Sequence, residues 1–306
     1  MHFRSNGKLL LTGEYLVLRG AKALALPLKK GQSLEIEELE NDGHPHLLWF
    51  AFGPDKLWFK SSFELPSLDI IGTDDRKRSS KLQLILLTLN QLNPDIFNGK
   101  YSYKIKTRLD FNPEWGFGSS STLIANLSRW AKVDPYSLLN LSIGGSGYDV
   151  ACAMSDKALI YQINTLRPNI QKIAFNPDFR EKLLFVYNDK KQDSSEEVKR
   201  FNRLHHENDL TATIDKINQI TNEIIVNTSF HAFCNLMKEH ETILSDVLQL
   251  PVLAERFPDF DGQIKSLGAW GGDFFLAMSD KPTEEIRDYF KKQGLSTFFT
   301  FDELIL

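Results

Sequence analysis

Apolar residues recur along the chain with two distinct periods. Ser33 to Leu39 alternates apolar and polar, as a half-buried strand does, and so do Tyr101, Tyr103, Ile105 and Thr107. Lys8 to Leu18 is an apolar β-type run broken at Thr12-Gly13-Glu14. Leu47 to Phe52 and Leu57 to Phe59 predict a hairpin around Gly53-Pro54-Asp55. Ser80 to Leu92 switches to helical spacing, with Leu82, Ile85, Leu86 and Leu89 on one face. A loop over Pro113 to Gly118 then feeds a helix start at Ser119.

The second half is richer in helices. Lys182 to Tyr187 predicts a strand and Ser194 to Leu204 a helix. Leu210 to Val226 carries Ile214, Ile217, Ile220 and Ile224 at helical steps, and Phe230 to Leu248 is a further amphipathic helix. Asp273 to Ala277 reads as a strand, Thr283 to Lys292 as a helix and Leu295 to Phe301 as a final strand. The polar stretch at Arg167-Pro168 marks the expected boundary between two domains, 1–168 and 169–306.

Composition narrows the class. The 306 residues are 42% hydrophobic and 25% charged, which excludes disordered, collagen-like and coiled-coil chains. A net charge of −4 provides no global basic field to recruit nucleic acid or an acidic membrane. Two cysteines, Cys152 and Cys234, are too few for a disulfide framework or a four-cysteine zinc site and fit a reducing compartment. No apolar run approaches the roughly 20 residues of a membrane span, and the start lacks the apolar stretch of a signal peptide. The expectation is a soluble cytoplasmic protein that binds neither nucleic acid nor membrane; its oligomeric state is not legible.

Candidate chemistry gathers at glycine-rich segments. Gly7-Lys8-Leu9-Leu10-Leu11-Thr12-Gly13-Glu14-Tyr15 reads either as an ordinary hairpin or as a lysine facing a site from the start of a strand. A buried lysine needs an anionic partner. In Pro113-Glu114-Trp115-Gly116-Phe117-Gly118-Ser119-Ser120-Ser121-Thr122, glycines permit close approach of a ligand. The helix that follows aims N–H groups and a positive dipole end at the loop, which suits phosphate, and hydroxyls there can ligate Mg²⁺ beside a polyphosphate. The alternative is a plain helix cap after a tight turn. Gly144-Gly145-Ser146-Gly147-Tyr148-Asp149 sets an acid just after a flexible turn, as a cap or as a functional carboxylate. Gly268-Ala269-Trp270-Gly271-Gly272-Asp273 reads alone as a hairpin turn. A G-x-x-x-x-G-K-[ST] loop and a complete dinucleotide fingerprint are both absent. His205-His206-Glu207 reads as a solvated helix end rather than a set of metal ligands, and Arg76-Lys77-Arg78 as a solvated turn or an anion clamp.

The order of these segments is more specific than any one of them. Together they resemble the GHMP kinase superfamily of galactokinase, homoserine kinase, mevalonate kinase and phosphomevalonate kinase. The first motif is similar to Gly7 through Tyr15, and the phosphate loop P-x-x-x-G-L-G-S-S-A to Pro113 through Ser121, with Phe117 in the Leu place. The Gly-Ser-Gly-x-Asp segment is similar to Ser146 through Asp149, and the late glycine motif to Gly268 through Asp273. The chain is most similar to phosphomevalonate-kinase-like members and to a bacterial group named for a G-Y-D-I-A signature, here Gly147-Tyr148-Asp149-Val150-Ala151.

The resemblance implies an α/β (α+β) fold of two domains, the first like ribosomal protein S5 domain 2 and the second ferredoxin-like. It implies that Gly116, Phe117, Gly118, Ser119, Ser120 and Ser121 hold the phosphates of ATP, with Ser120 a Mg²⁺ ligand. Asp149 would accept the proton of the substrate hydroxyl, and Lys8 would stabilise the reacting oxygen. The implied reaction is transfer of the γ-phosphate to a hydroxyl or phosphate of a small metabolite, mevalonate or phosphomevalonate among the candidates. A diphosphomevalonate-decarboxylase-type enzyme and a ligand-binding protein without catalysis are the alternatives. Three departures stand out: Trp270 replaces a usual glycine, Tyr15 stands where mevalonate kinases have His, and the short stretch from Ser121 to Gly144 lacks the expected acidic Mg²⁺ ligand.

Overall fold

The elements are set by local chemistry that the chain states repeatedly. In the computed structural model, which describes residues 1–41, 43–164, 167–189, 194–205, 210–268, 270 and 273–306, they follow in the order β1 (His2–Thr12), β2 (Ala23–Glu40), β3 (His46–Phe52), β4 (Leu57–Glu64), β5 (Ile70–Thr73), α1 (Arg76–Leu92), β6 (Tyr101–Leu109), α2 (Ser119–Ala131), α3 (Pro135–Ser142), α4 (Tyr148–Ala153), β7 (Leu159–Gln162), β8 (Asn169–Lys172), β9 (Leu183–Tyr187), α5 (Ser194–Leu204), α6 (Thr211–Val226), α7 (Phe230–Leu248), β10 (Gln263–Leu267), β11 (Phe274–Met278), α8 (Thr283–Lys292), β12 (Phe298–Thr300) and α9 (Phe301–Leu304).

The chain divides into two units that interleave in sequence. The first holds Met1–Gly7, Lys30–Pro113 and Phe117–Met154. Its strands lie in the order β5-β4-β3-β6-β2, the last through its second half. β3 and β6 run parallel, Trp49 beside Ile105, whereas β4 on β3 and β6 on β2 are antiparallel. Leu34, Ile36, Trp49, Phe63 and Ile105 turn one sheet face toward Leu82, Ile85, Leu86 and Leu89 of α1 and toward α2 and α3. Burying each such side chain contributes about 1.5–3 kcal/mol. α1 starts because the Asp75 carboxylate accepts the Arg78 N–H at 2.9 Å. It stops at Asn93, the residue before Pro94, where helical backbone is disfavoured.

The second unit holds Lys8–Lys29, Glu114–Gly116 and Ser155–Leu306. Its four-stranded sheet, β10-β11-β9-β12, is antiparallel throughout, and its two central strands β9 and β11 are apolar and buried along their whole length. Phe257, Phe275, Ile286 and Phe290 form one core on it. α6 packs on α7 and α7 on β10. A second core joins Tyr15, Leu16, Phe201, Ile217, Leu244 and Trp270. The first half of β2 pairs with β7, Leu24 beside Ile160, and β7 with β8. Among the described residues no helix is long and apolar enough to cross a membrane.

Candidate active site

The segment Pro113 to Thr122 is anchored at both ends. In the first unit, Phe117 is fully buried, edge-on to Phe111 at 5.6 Å. Gly118 then takes left-handed backbone, φ 89°, and opens the 13-residue helix α2. A side chain at that φ is strained, so glycine is what lets the chain turn this sharply into a helix. Ser121 Oγ donates to the Gly118 carbonyl at 2.8 Å. Thr122 Oγ1 donates to buried Gln32 Oε1 at 2.9 Å. Asn126 bridges the Gln32 carbonyl at 3.0 Å and Ser5 at 2.8 Å. These bonds pin the first turns of α2 to β1 and β2, leaving Ser119 and Ser120 half-buried at the helix start. Here Lys81 of α1 donates from Nζ to Ser120 Oγ at 3.1 Å.

Asp149 lies half-buried in the first turn of α4. Gly147, φ 86°, caps that turn just as Gly118 caps α2, and α4 packs on α2. Phe117 to Ser121, Gly147 and Asp149 therefore lie at the starts of two helices that pack on each other.

Glu114, Trp115 and Gly116 belong to the second unit. The Trp115 ring meets Tyr187, Phe274 and Phe299 at 6.3, 6.1 and 5.3 Å between centroids, which fastens the loop's start to β9, β11 and β12. Gly116, φ 66°, lies so close to Asp273 that a Cβ there would overlap the carboxylate. Lys8 is half-buried in the middle of β1 and is assigned to this unit as well.

Arg78 pairs with Asp75 and stacks over Trp58 at 5.0 Å, which makes it part of the α1 start. His205 is half-buried with a ring nitrogen 2.6 Å from the Val247 carbonyl, a packed histidine rather than a solvated one; His206 and Glu207 lie outside the described residues. Trp270 is buried and donates from Nε1 to the Pro251 carbonyl at 3.2 Å, while its backbone N–H donates to the Tyr15 hydroxyl at 2.9 Å. The two departures at positions 15 and 270 thus meet each other. Ala269, Gly271 and Gly272 of the late glycine motif lie outside the described residues.

Residues with no motif of their own also gather here. Lys265, fully buried in β10, donates from Nζ to Glu14 Oε1 at 2.5 Å and to the Ser266 carbonyl at 2.7 Å. Buried Glu241 accepts the Ser266 hydroxyl at 2.8 Å and its N–H at 3.1 Å. Removal from water raises the carboxyl pKa values of Glu14 and Glu241, and the Lys265 charge opposes that rise. His240 Nε2 accepts the Gly13 N–H at 3.0 Å, so the ring is neutral, with its proton on Nδ1. Burial, then the Lys265 charge, holds its pKa well below the ordinary value.

The donor set bears on cofactors. The left-handed glycines, the serine-rich start of α2 and the Lys81 ammonium fit a polyphosphate. Among the described residues no three His, Cys, Asp or Glu side chains gather as a metal site. The Ser120 hydroxyl is the side chain at this helix start that would take a Mg²⁺ ion bound with the phosphates.

No family model and no curated protein matches the sequence. Solved structures do match its shape. Phosphomevalonate kinase from Streptococcus pneumoniae, in complex with phosphomevalonate and AMPPNP, aligns at TM-score 0.71 and 17% identity over 98% of this chain and 99% of its own. Mevalonate kinase from Methanococcus jannaschii aligns at 0.69 and 17% over 98% and 96%. Galactokinase from Lactococcus lactis, complexed with galactose, aligns at 0.70 and 13% over 98% and 92%. These three are members of one superfamily, and the chain has their fold, that of the GHMP kinases.

Proposed function

We propose that the chain is an ATP-dependent kinase for a small hydroxylated or phosphorylated metabolite, of the mevalonate and phosphomevalonate type. The observation that carries this reading is the packed pair α2 and α4. Each is opened by a left-handed glycine, one presenting Ser119 to Ser121 and the other Asp149. In a fold shared with kinases, that pair supplies a phosphate cradle and a carboxylate on one support.

Backbone N–H groups at the start of α2 bind phosphate oxygens, helped by the helix dipole. Lys81, exposed on α1 within reach of Ser120, turns its ammonium to the phosphate and neutralises part of its charge. Ser120 would hold a Mg²⁺ ion bound with ATP, which would draw electron density from the phosphates. Asp149 accepts the proton of the acceptor hydroxyl as its oxygen bonds to the γ-phosphorus. The bond from that phosphorus to the β–γ bridging oxygen breaks, and ADP leaves with the electron pair. Lys8 stabilises the reacting oxygen.

The test is ATP consumption screened against mevalonate, phosphomevalonate, homoserine and sugars, followed by Asp149→Asn on the best acceptor. The substitution keeps the shape and removes the charge, so kcat is expected to fall about 10²–10⁴-fold with ATP still bound. A normal kcat would remove Asp149 from the reaction, and carbon dioxide among the products would replace simple transfer with a decarboxylating reaction.

A further inference from the structure

Three successive residues of the first motif are each held by a different later element of the second unit. Gly13 donates its N–H to His240 of α7, Glu14 takes the Lys265 ammonium of β10, and the Tyr15 hydroxyl accepts the Trp270 N–H. The side chains of Glu14, Tyr15, His240 and Lys265 are all buried. The turn they hold is a strained one: Gly13 has φ 86° and Tyr15, without a glycine's freedom, φ 60°. Backbone of that kind persists where its surroundings over-determine it. Glu241 fixes Ser266, the neighbour of Lys265, through both of its oxygens. The path continues through Gly268 to Asp273, whose carboxylate abuts Gly116 at the start of the phosphate loop.

We propose that Gly13-Glu14-Tyr15 is a positioning clasp for the phosphate loop, with Lys265 at its centre, and not a group of substrate-contacting side chains. This rests on the reading that the loop binds ATP. The Tyr15 side chain is buried and its hydroxyl oxygen accepts the Trp270 N–H, so the ring and this oxygen are held within the clasp. A buried ion pair gains little over apolar side chains of equal volume, but it permits few geometries. Lys265 and Glu14 thereby set the register of the turn against β10, and β10 carries that register to Asp273 and Gly116.

The variants are Tyr15→Phe, which keeps the ring and removes the acceptor oxygen, and the charge-neutral pair Glu14→Gln with Lys265→Met. For each, steady-state KM for ATP and for the acceptor, ATP–Mg²⁺ calorimetry and thermal melting are measured together. Tyr15→Phe is expected to raise KM for ATP about tenfold, with the acceptor KM within about twofold of wild type. The neutral pair is expected to act in the same direction, and the triple variant to lose less than the product of the separate losses. A rise confined to the acceptor KM would make Tyr15 a substrate contact and overturn the clasp, as would two unchanged constants. If the neutral pair fails to fold, Tyr15→Phe alone decides. Wild-type protein that binds no ATP would end the kinase reading instead. The clasp would then be read from melting, where coupled shifts of the Tyr15 and Lys265 variants uphold it and additive shifts overturn it.

Discussion

His240 is the residue whose surroundings most constrain its chemistry. It is fully buried in α7, and the charged or titratable groups around it are Glu14 from the turn, Lys265 from β10 and Glu241 from its own helix. Its folded pKa is lowered, whereas an unfolded histidine titrates near 6.5. The neutral ring therefore contributes stability that is complete above about pH 6.5 and is lost as pH falls toward the folded value. Glu14 and Glu241, with raised folded values, act in the opposite sense and lose their contribution as pH rises through those values. Comparing wild type with His240→Gln isolates the histidine. Below pH 6.5 the stability difference is expected to shift against wild type by up to about 1.4 kcal/mol per pH unit. Denaturant melts between pH 7 and 5 measure it, and a constant difference would mean that the ring takes up its proton inside the fold. Nothing in the sequence marked this site. His240 and Glu241 have no glycine turn beside them, Lys265 stands just ahead of the late glycine motif without belonging to it, and the residues they hold in the first motif lie far away in the chain. Tyr15 and Trp270 were each visible as departures, yet their bond spans 255 positions and is a property of the fold alone.

At the scale of elements, hydrophobic period was the most readable signal. α6, α7 and α8 lie where helical spacing placed them, α1 extends the expected Ser80 to Leu92 by one turn to Arg76 because Asp75 caps it there, and the hairpin of β3 and β4 turns at Gly53-Pro54-Asp55. Boundaries failed where a local interaction outcompeted the pattern. The last strand, expected over Leu295 to Phe301, is shortened to Phe298–Thr300 because Thr300 and Glu303 form a capping box that turns the chain into α9. Alternation predicts β2 from Ser33 onward, but the strand starts at Ala23 and runs through Pro27, whose carbonyl accepts the Leu306 N–H. α1 also shows what period cannot reveal. Its Arg76-Lys77-Arg78 start is the conspicuous basic run, whereas the lysine that reaches Ser120 is Lys81, one turn later. Lys81→Met is expected to weaken ATP–Mg²⁺ binding about tenfold, near 1.4 kcal/mol. It should leave melting nearly unchanged, because the side chain is exposed. Unaltered affinity in calorimetry would return Lys81 to the role of a surface residue.

At the scale of the whole molecule, an identity of 13–17% accompanies a shared fold over 98% of the chain. Backbone architecture survives replacement of most side chains, so the fold narrows the chemistry without naming the acceptor. The order of four glycine-rich segments carried the same information in sequence, because each marks a place where backbone takes an angle or an approach that a side chain would hinder. The central claim is that the loop opening α2 binds ATP, and it is tested most directly by calorimetric titration of ATP–Mg²⁺ into wild type and Gly118→Val. Valine at φ 89° carries a left-handed strain of about 1–2 kcal/mol and sets a branched side chain where phosphate approaches the backbone. The expected result is one site in wild type and at least roughly tenfold weaker binding in a variant that still melts cooperatively. Equal affinity in the folded variant, or no binding by wild type, would contradict the claim.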